Sequence, residues 1–174
     1  MAKFLFNLRP SSAETLGLIS ESYPEVDPLS LYTHVQMRHI ACSIEDAMEK
    51  FLSEHRISSG RFFVLMALEL EEKGIKPSKL SSNLGVTQAT ITGLIDGLSN
   101  HGLVQRREHD RDGRACVVTL TTKGREFIRE LRPQFNRWIG SYYGVINAEE
   151  KNQLIRLLEK FHASVKAPSH PADE

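Results

Sequence analysis

Residues 76–102 read KPSKLSSNLGVTQATITGLIDGLSNHG, and this stretch decides the fold. Pro77 begins a short helix that stops at Gly85, because proline suits the first helical position and glycine suits the position after a helix. Thr87 is a good N-cap for a second helix that begins at Gln88. A short helix, a turn containing glycine and a capped helix together predict a helix-turn-helix.

A β-hairpin is expected directly after the second helix. The stretches 103–107 and 115–120 are rich in β-forming side chains and flank the polar segment 108–114. A hairpin at this place is the wing of a winged helix-turn-helix, which we assign to residues 56–125. The predicted fold class is therefore mainly α with a small β-hairpin wing.

Two longer helices are expected before this module. Asp27 followed by Pro28 begins an amphipathic helix that ends near His55, because aspartate accepts the free N–H groups and proline lacks one of them. Ser58 caps the next helix, which the apolar pattern places from residue 62 to about residue 73.

Two more helices are expected after the wing. Thr121 or Thr122 caps the first, and Asn147 with Glu150 forms a capping box for the second. The apolar faces of the helices at both chain ends are larger than one small winged module can cover, which predicts a dimer. The predicted organisation is an N-terminal extension with a short helix (1–26), a helical dimerisation region (27–55 and 126–166), the winged module (56–125) and a flexible tail (167–174).

The composition is that of a soluble globular protein. The chain has 174 residues, of which 40% are hydrophobic, and its length predicts one compact unit. Its longest apolar run, Phe62 to Leu68, is far shorter than the roughly 18 residues of a membrane span, and its start lacks a secretory signal. We therefore expect a cytoplasmic protein without a membrane partner. Cys42 and Cys116 are too few for a disulfide scaffold and are expected to be reduced, buried thiols.

The net charge of zero conceals an asymmetry. Residues 74–125 hold eight basic and four acidic side chains and carry +4, whereas the remaining 14 basic and 18 acidic residues carry −4. Cations on a winged module are placed to meet the phosphate backbone of double-stranded DNA. The alternative is a solvated surface with ordinary lysines and arginines.

The second helix of the motif carries no lysine or arginine. Gln88 is the best candidate for a bidentate contact to adenine, and Thr90 and Thr92 are candidates for phosphate or a thymine methyl group. Gly93 and Gly97 either let the backbone approach something closely or reflect weak selection for helix stability.

Four stretches resemble the MarR family of bacterial transcriptional regulators in order and spacing: 80–98, 101–107, 112–114 and 120–124. The resemblance covers about residues 29 to 161. The N-terminal extension and residues 131–134 are most similar to the multidrug-efflux repressor branch of that family.

The resemblance implies an obligate homodimer with interlocked terminal helices, a recognition helix in each major groove of a pseudo-palindrome, and a wing arginine in the minor groove. Here that arginine is Arg114, and Asp112 matches the acidic residue that orients it. Members often carry arginine at the positions of Gln88, Gly93 and Gly97, so base preference does not transfer. The candidate DNA-binding residues are Lys79, Thr87, Gln88, Thr90, Thr92, Arg106, Asp112, Arg114 and Lys123.

The resemblance also implies a small-molecule site between the dimerisation helices and the winged module, through which phenolic or other aromatic compounds relieve repression. The residues expected there combine apolar walls with a cation: His34, Met37, Arg38, Phe62 and Met66. The alternative for this set is ordinary core with a surface arginine.

An enzyme is not expected. His34 and His39 lie about 140° apart around a helix and share no ligand face, and no zinc-protease, hydrolase or paired-cysteine spacing occurs. We expect no metal and no cofactor. The predicted function is a DNA-binding transcriptional regulator, a repressor released from its operator by a small aromatic ligand. The alternative is a winged-helix protein-interaction adaptor that does not bind DNA.

Overall fold

The computed structural model describes residues 12–109 and 112–166, with the side chains of 14–107 and 116–166. Its elements follow in the order α1 (Ser12–Ser22), α2 (Pro28–Glu54), α3 (Ser59–Glu69), α4 (Pro77–Leu84), α5 (Gln88–Asn100), β1 (Val104–His109), β2 (Asp112–Leu120), α6 (Thr122–Tyr143) and α7 (Ala148–Lys166). The predicted fold class is confirmed. None of the helices described is both long and apolar enough to span a bilayer.

Helix α2 begins at the predicted cap. The carboxylate of Asp27 accepts the Ser30 hydroxyl at 2.6 Å and the backbone N–H groups of Ser30 at 3.0 Å and Leu29 at 3.3 Å. These hydrogen bonds, the one from the Ser30 hydroxyl first, hold the pKa of Asp27 below its ordinary value. The cap therefore depends on an ionised carboxylate.

Helix α2 ends in a Schellman turn with a non-glycine residue in the left-handed region. Arg56 has a φ of +58°, and its N–H donates to the Ser53 carbonyl at 2.9 Å. The N–H of Ile57 donates to the Leu52 carbonyl at 3.2 Å, and both of these side chains are buried. This turn leads the chain into α3.

Helix α3 begins and ends earlier than predicted, at Ser59 and Glu69. Ser58 occupies the cap position without a side-chain hydrogen bond, and Glu49 of α2 instead accepts the Ser59 N–H at 3.2 Å. The first turn of α3 is therefore capped from another helix, which the local sequence does not reveal.

The early end of α3 has a tertiary cause. Ile75 pairs with Val118 of β2 through two backbone hydrogen bonds of 3.0 and 2.9 Å. Gly74 reaches this position with a φ of +84°, and a Cβ on it would lie 2.8 Å from the Val118 carbonyl oxygen. The chain has to leave the helix in time to make this pairing.

The hairpin is antiparallel, with Val104 opposite Leu120 and Glu108 opposite Cys116. The register shifts after Glu108, where His109 pairs with Asp112. Residues 110 and 111 lie outside the described part.

The core lies between α3, α4, α5 and the hairpin. Its fully buried side chains include Phe62, Leu65, Leu80, Ile91, Ile95, Leu98 and Val118. Helices α3 and α5 pack closely, since a Cβ on Gly60 would lie 3.1 Å from Cδ2 of Leu94. Each large apolar side chain buried here stabilises the fold by about 1.5–3 kcal/mol. This packing fixes which face of α5 points outward.

The chain divides into two compact units, Met1–Gly124 and Arg125–Glu174, rather than the single unit that its length predicts. The predicted dimerisation region is thus shared between them. In the second unit the predicted capping box is confirmed: Asn147 accepts the N–H groups of Glu149 and Glu150 at 2.9 and 3.0 Å, and Glu150 accepts the Asn147 N–H at 2.7 Å.

Candidate nucleic-acid interface

The predicted helix-turn-helix consists of α4, a turn at Gly85 and α5. Gly85 has a φ of +65°, which glycine adopts without strain. Thr87 caps α5 as predicted, because its Oγ1 accepts the Thr90 N–H at 3.1 Å and lies 2.9 Å from the Thr90 hydroxyl. Both threonines predicted at this end of the interface are therefore engaged in the start of α5.

Gln88 links the two helices of the motif. Its Nε2 donates to the hydroxyl of Ser81 on α4 at 3.0 Å. The Thr92 hydroxyl donates to the Gln88 backbone carbonyl at 2.9 Å. In this conformation the amide predicted to contact adenine is thus bonded to α4, and a base contact requires it to turn outward or to use its oxygen.

Arg106 of β1 forms an ion pair with Asp96 of α5. The guanidinium Nη2 lies 2.7 Å from Oδ1 of Asp96, and the two side chains are 48% and 51% exposed. Arg106 is one of the predicted DNA contacts, but its pairing with Asp96 was not predicted. No periodicity connects the two positions, because they belong to different elements that the packing brings together.

Lys123 lies at the C-terminal end of α5. Its Nζ donates to the His101 carbonyl at 2.9 Å, and a cation at a helix C-terminus is stabilised by the helix dipole. Thr121 supports the same end, because its hydroxyl donates to the Gly102 carbonyl at 2.6 Å and accepts the Gly124 N–H at 3.0 Å. Thr121 is therefore the cap of α6, one of the two residues predicted for that place.

Three predicted DNA contacts remain: Lys79, Asp112 and Arg114. Lys79 is exposed on α4. The side chains of Asp112 and Arg114 lie outside the described part, although the backbone of both belongs to β2.

Two glycines of α5 have different surroundings. A Cβ on Gly93 would meet nothing within 4 Å. A Cβ on Gly97 would lie 2.5 Å from Nη2 and 2.8 Å from Nε of Arg61, which the first turn of α3 contributes. The close approach of Arg61 to Gly97 fits the first of the two explanations given for this glycine.

The candidate effector residues come from α2 and α3, which pack against each other. His34 and Arg38 are exposed, and Met37 and Met66 are half-buried. Phe62 is 0% exposed and belongs to the core, so it lines no open site in this conformation. The role of the other four residues stays a prediction.

Both cysteines are exposed, which corrects the expectation of buried thiols. Cys42 lies on a stretch of α2 between Val35 and Leu52, the two buried residues of that helix. Cys116 lies on the wing side of Val117, where β2 extends beyond the core. Among the residues described, no cluster of histidine, cysteine and acidic side chains is arranged to hold a metal ion.

Comparison with known proteins agrees with this architecture. The sequence model of the MarR family matches residues 57–116. The HTH-type transcriptional repressor YetL of Bacillus subtilis (strain 168) is 31% identical over 140 residues, which cover 80% of this chain and 84% of the repressor.

Two solved structures share the fold. One is the S. aureus MepR–DNA complex, with a TM-score of 0.67, 21% identity, and coverage of 74% of this chain and 95% of that one. The other is CouR of Rhodococcus jostii RHA1 bound to p-coumaroyl-CoA, with a TM-score of 0.67, 21% identity, and coverage of 79% and 94%. The match to the family and the extent of the similarity to YetL lead to one conclusion: this chain belongs to the MarR family.

Proposed function

We propose that the protein is a homodimeric, sequence-specific DNA-binding transcriptional regulator, and specifically a repressor that a small aromatic or phenolic ligand releases from a pseudo-palindromic operator. The observation that carries this proposal is the outer face of α5. Its apolar side is buried in the core, and its opposite side is exposed along the whole helix: Ala89, Thr90, Thr92, Gly93, Asp96 and Asn100. An exposed polar helix held by its neighbour in this motif is suited to the major groove.

In this proposal α5 is the recognition helix and the hairpin is the wing. Gln88 contacts a base edge, and Lys79 and Lys123 contact phosphates. The bond from Lys123 to the His101 carbonyl leaves other N–H donors of its ammonium group available. At the wing, Arg114 enters the minor groove and Asp112 orients it.

The dimer is proposed to form through residues 27–55 and 126–166. Helix α7 has no buried residue within one chain. Its large apolar side chains recur every three or four residues and are all exposed: Leu154, Ile155, Leu157, Leu158, Phe161 and Val165. A second copy of the chain would remove this row from water and set two winged modules on a two-fold axis.

We infer repression and ligand release for this protein from its relatives. YetL is a repressor by name, MepR was solved on DNA, and CouR was solved with an aromatic acyl thioester. We place the effector near His34, Met37, Arg38 and Met66, where apolar walls and a cation lie on adjacent helices. We further propose that the protein acts in the cytoplasm, where the DNA is, and that it catalyses no reaction.

Selection of genomic fragments with the purified protein tests the DNA-binding function. We expect one palindromic sequence to be enriched and its binding to weaken steeply with salt. Arg114→Ala should then reduce the salt slope by up to about 2 per dimer, whereas Gln88→Ala should cost about 1–3 kcal/mol on that site and leave the slope nearly unchanged. A folded protein that enriches no fragment would favour the protein-interaction adaptor.

The effector is tested separately by calorimetry with aromatic carboxylates and phenols. A ligand that binds the dimer and weakens DNA binding must itself bind less tightly in the presence of DNA. If no compound of these classes binds, ligand release is wrong while DNA binding stands.

A further inference from the structure

The face that α5 presents is unusual for a DNA-binding helix because it supplies no positive charge. The helix contains neither lysine nor arginine, and its one charged residue is Asp96. Ala89, Gly93 and Asn100 make the centre of the exposed face, and these side chains are short or absent. Cations that help this surface to approach phosphates must therefore come from neighbouring elements.

Two arginines from other elements reach α5, one at Asp96 and one at Gly97. Arg106 of β1 reaches Asp96 and is paired with it at 2.7 Å, so that the two charges compensate each other. Arg61 of α3 reaches Gly97, where its Cζ lies 2.9 Å from the position of an added Cβ. Counting the carboxylates of the described residues, Arg106 is paired with one and Arg61 with none.

Among the side chains that the structure describes, none compensates the charge of Arg61. Within the part of the chain that the structure describes, no carboxylate forms an ion pair with it and no acceptor is bonded to it. Arg61 is half-buried, and its guanidinium lies against Gly97 of α5. A guanidinium to which none of the described residues offers an acceptor keeps its N–H donors for an anion.

Gly97 is what makes this position possible. Any side chain there would overlap the guanidinium, because an added Cβ would lie 2.5 Å from Nη2. Glycine lowers helix stability relative to alanine in a helix interior. At Gly97 the space that a side chain would take is occupied by the Arg61 guanidinium. At Gly93 the corresponding space is empty.

We propose that Arg61, whose guanidinium lies against Gly97, supplies the phosphate-binding cation that the recognition helix lacks. The inference rests on the proposed function, because it concerns the same DNA surface. Arg61 would contact the backbone of DNA beside the groove that α5 enters, and it would do so on any sequence.

Removal of the charge is the first test. Binding of a labelled random-sequence duplex is measured by fluorescence anisotropy from about 50 to 200 mM salt. Arg61→Ala removes one phosphate contact per subunit, so the slope of log affinity against log salt should fall by about 1.8 per dimer. The loss of affinity across this salt range should then be about 12-fold smaller than in the parent. Lys73→Ala is the control, because it removes the same charge from an exposed residue in the turn after α3.

The second test places a methyl group at Gly97, where the Arg61 guanidinium lies. Gly97→Ala should displace the flexible guanidinium and reduce the salt slope in the same direction, while the melting temperature stays at or above that of the parent. Gly17→Ala is its control, because a Cβ on Gly17 meets nothing within 4 Å in α1. In the Arg61→Ala background, Gly97→Ala should cause no further loss, which separates displacement of Arg61 from direct obstruction of DNA.

The possible outcomes separate failure of this inference from failure of the proposed DNA-binding function. If Arg61→Ala binds with the affinity and slope of a parent that does bind DNA, the inference is wrong and the proposed function stands. If Arg61→Ala fails to fold, Gly97→Ala decides, and a stable variant with the parent's slope overturns the inference. If the parent binds no duplex, the proposed function fails and the inference with it.

Discussion

Replacing Asp96 by asparagine should strengthen binding to DNA of any sequence. The substitution removes one negative charge from the exposed face of α5 and keeps an oxygen that accepts a hydrogen bond from Arg106. The pair joins groups 2.7 Å apart, and both are about half exposed, so its loss should cost only about 0.2–1 kcal/mol of stability. The variant should therefore stay folded.

The effect on DNA follows from a guanidinium whose charge is no longer neutralised by a carboxylate. Arg106 would gain one phosphate contact per subunit, so the salt slope should become steeper by about 1.8 per dimer, with tighter binding at low salt. Fluorescence anisotropy with a random-sequence duplex over a series of salt concentrations measures both quantities. Asp46→Asn, which removes an exposed carboxylate from α2, is the control for net charge.

The opposite result would refute this reasoning. If Asp96→Asn binds more weakly and its slope is unchanged, Asp96 serves to position Arg106 rather than to neutralise it. Arg106→Ala is measured in the same assay. If Asp96→Asn and Arg106→Ala both have the salt slope of the parent, Arg106 does not contact a phosphate.

Four further predictions concern stability and assembly. Gly74→Ala should destabilise the protein by about 2–4 kcal/mol in urea unfolding, because a Cβ at a φ of +84° would lie 2.8 Å from the Val118 carbonyl oxygen. Asn147→Ala should cost about 1 kcal/mol, measured in the same way, because two N–H groups of α7 lose their acceptor. Asp27→Ala should be less stable than the parent at neutral pH but not in strong acid, because a group whose pKa is lowered on folding stabilises the fold only while ionised and loses this effect as the pH falls through its folded pKa. Leu158→Asp should lower the dimer fraction in sedimentation and DNA binding together, and a fully dimeric variant would contradict the proposed interface.

Three helix starts could be predicted because their capping is local. Asp27, Thr87 and Asn147 each accept N–H groups no more than three residues away, so residue type and spacing contain the information. The stop at Gly85 is equally local, since only the left-handed φ of one residue is involved. These signals, together with the apolar periodicity, also predicted the order of the elements and hence the winged helix-turn-helix.

Local patterns gave wrong predictions where contacts with residues distant in sequence decide the structure. The apolar pattern extends α3 to about residue 73, but the pairing of Ile75 with Val118 ends it at Glu69. Residue type and position along the chain predicted burial of Cys42 and Cys116, whereas exposure depends on which surface another element covers.

The sequence by itself thus determined the elements, their order and the basic character of the module. Only the tertiary structure decided which charges on that module are compensated. Asp96 pairs with Arg106, Gln88 bonds to α4, and Arg61 fills the space beside Gly97, each because separate elements pack side by side. Ion pairs and side-chain contacts of this kind act over a few ångströms in space and have no period along the chain, so composition and spacing do not contain them.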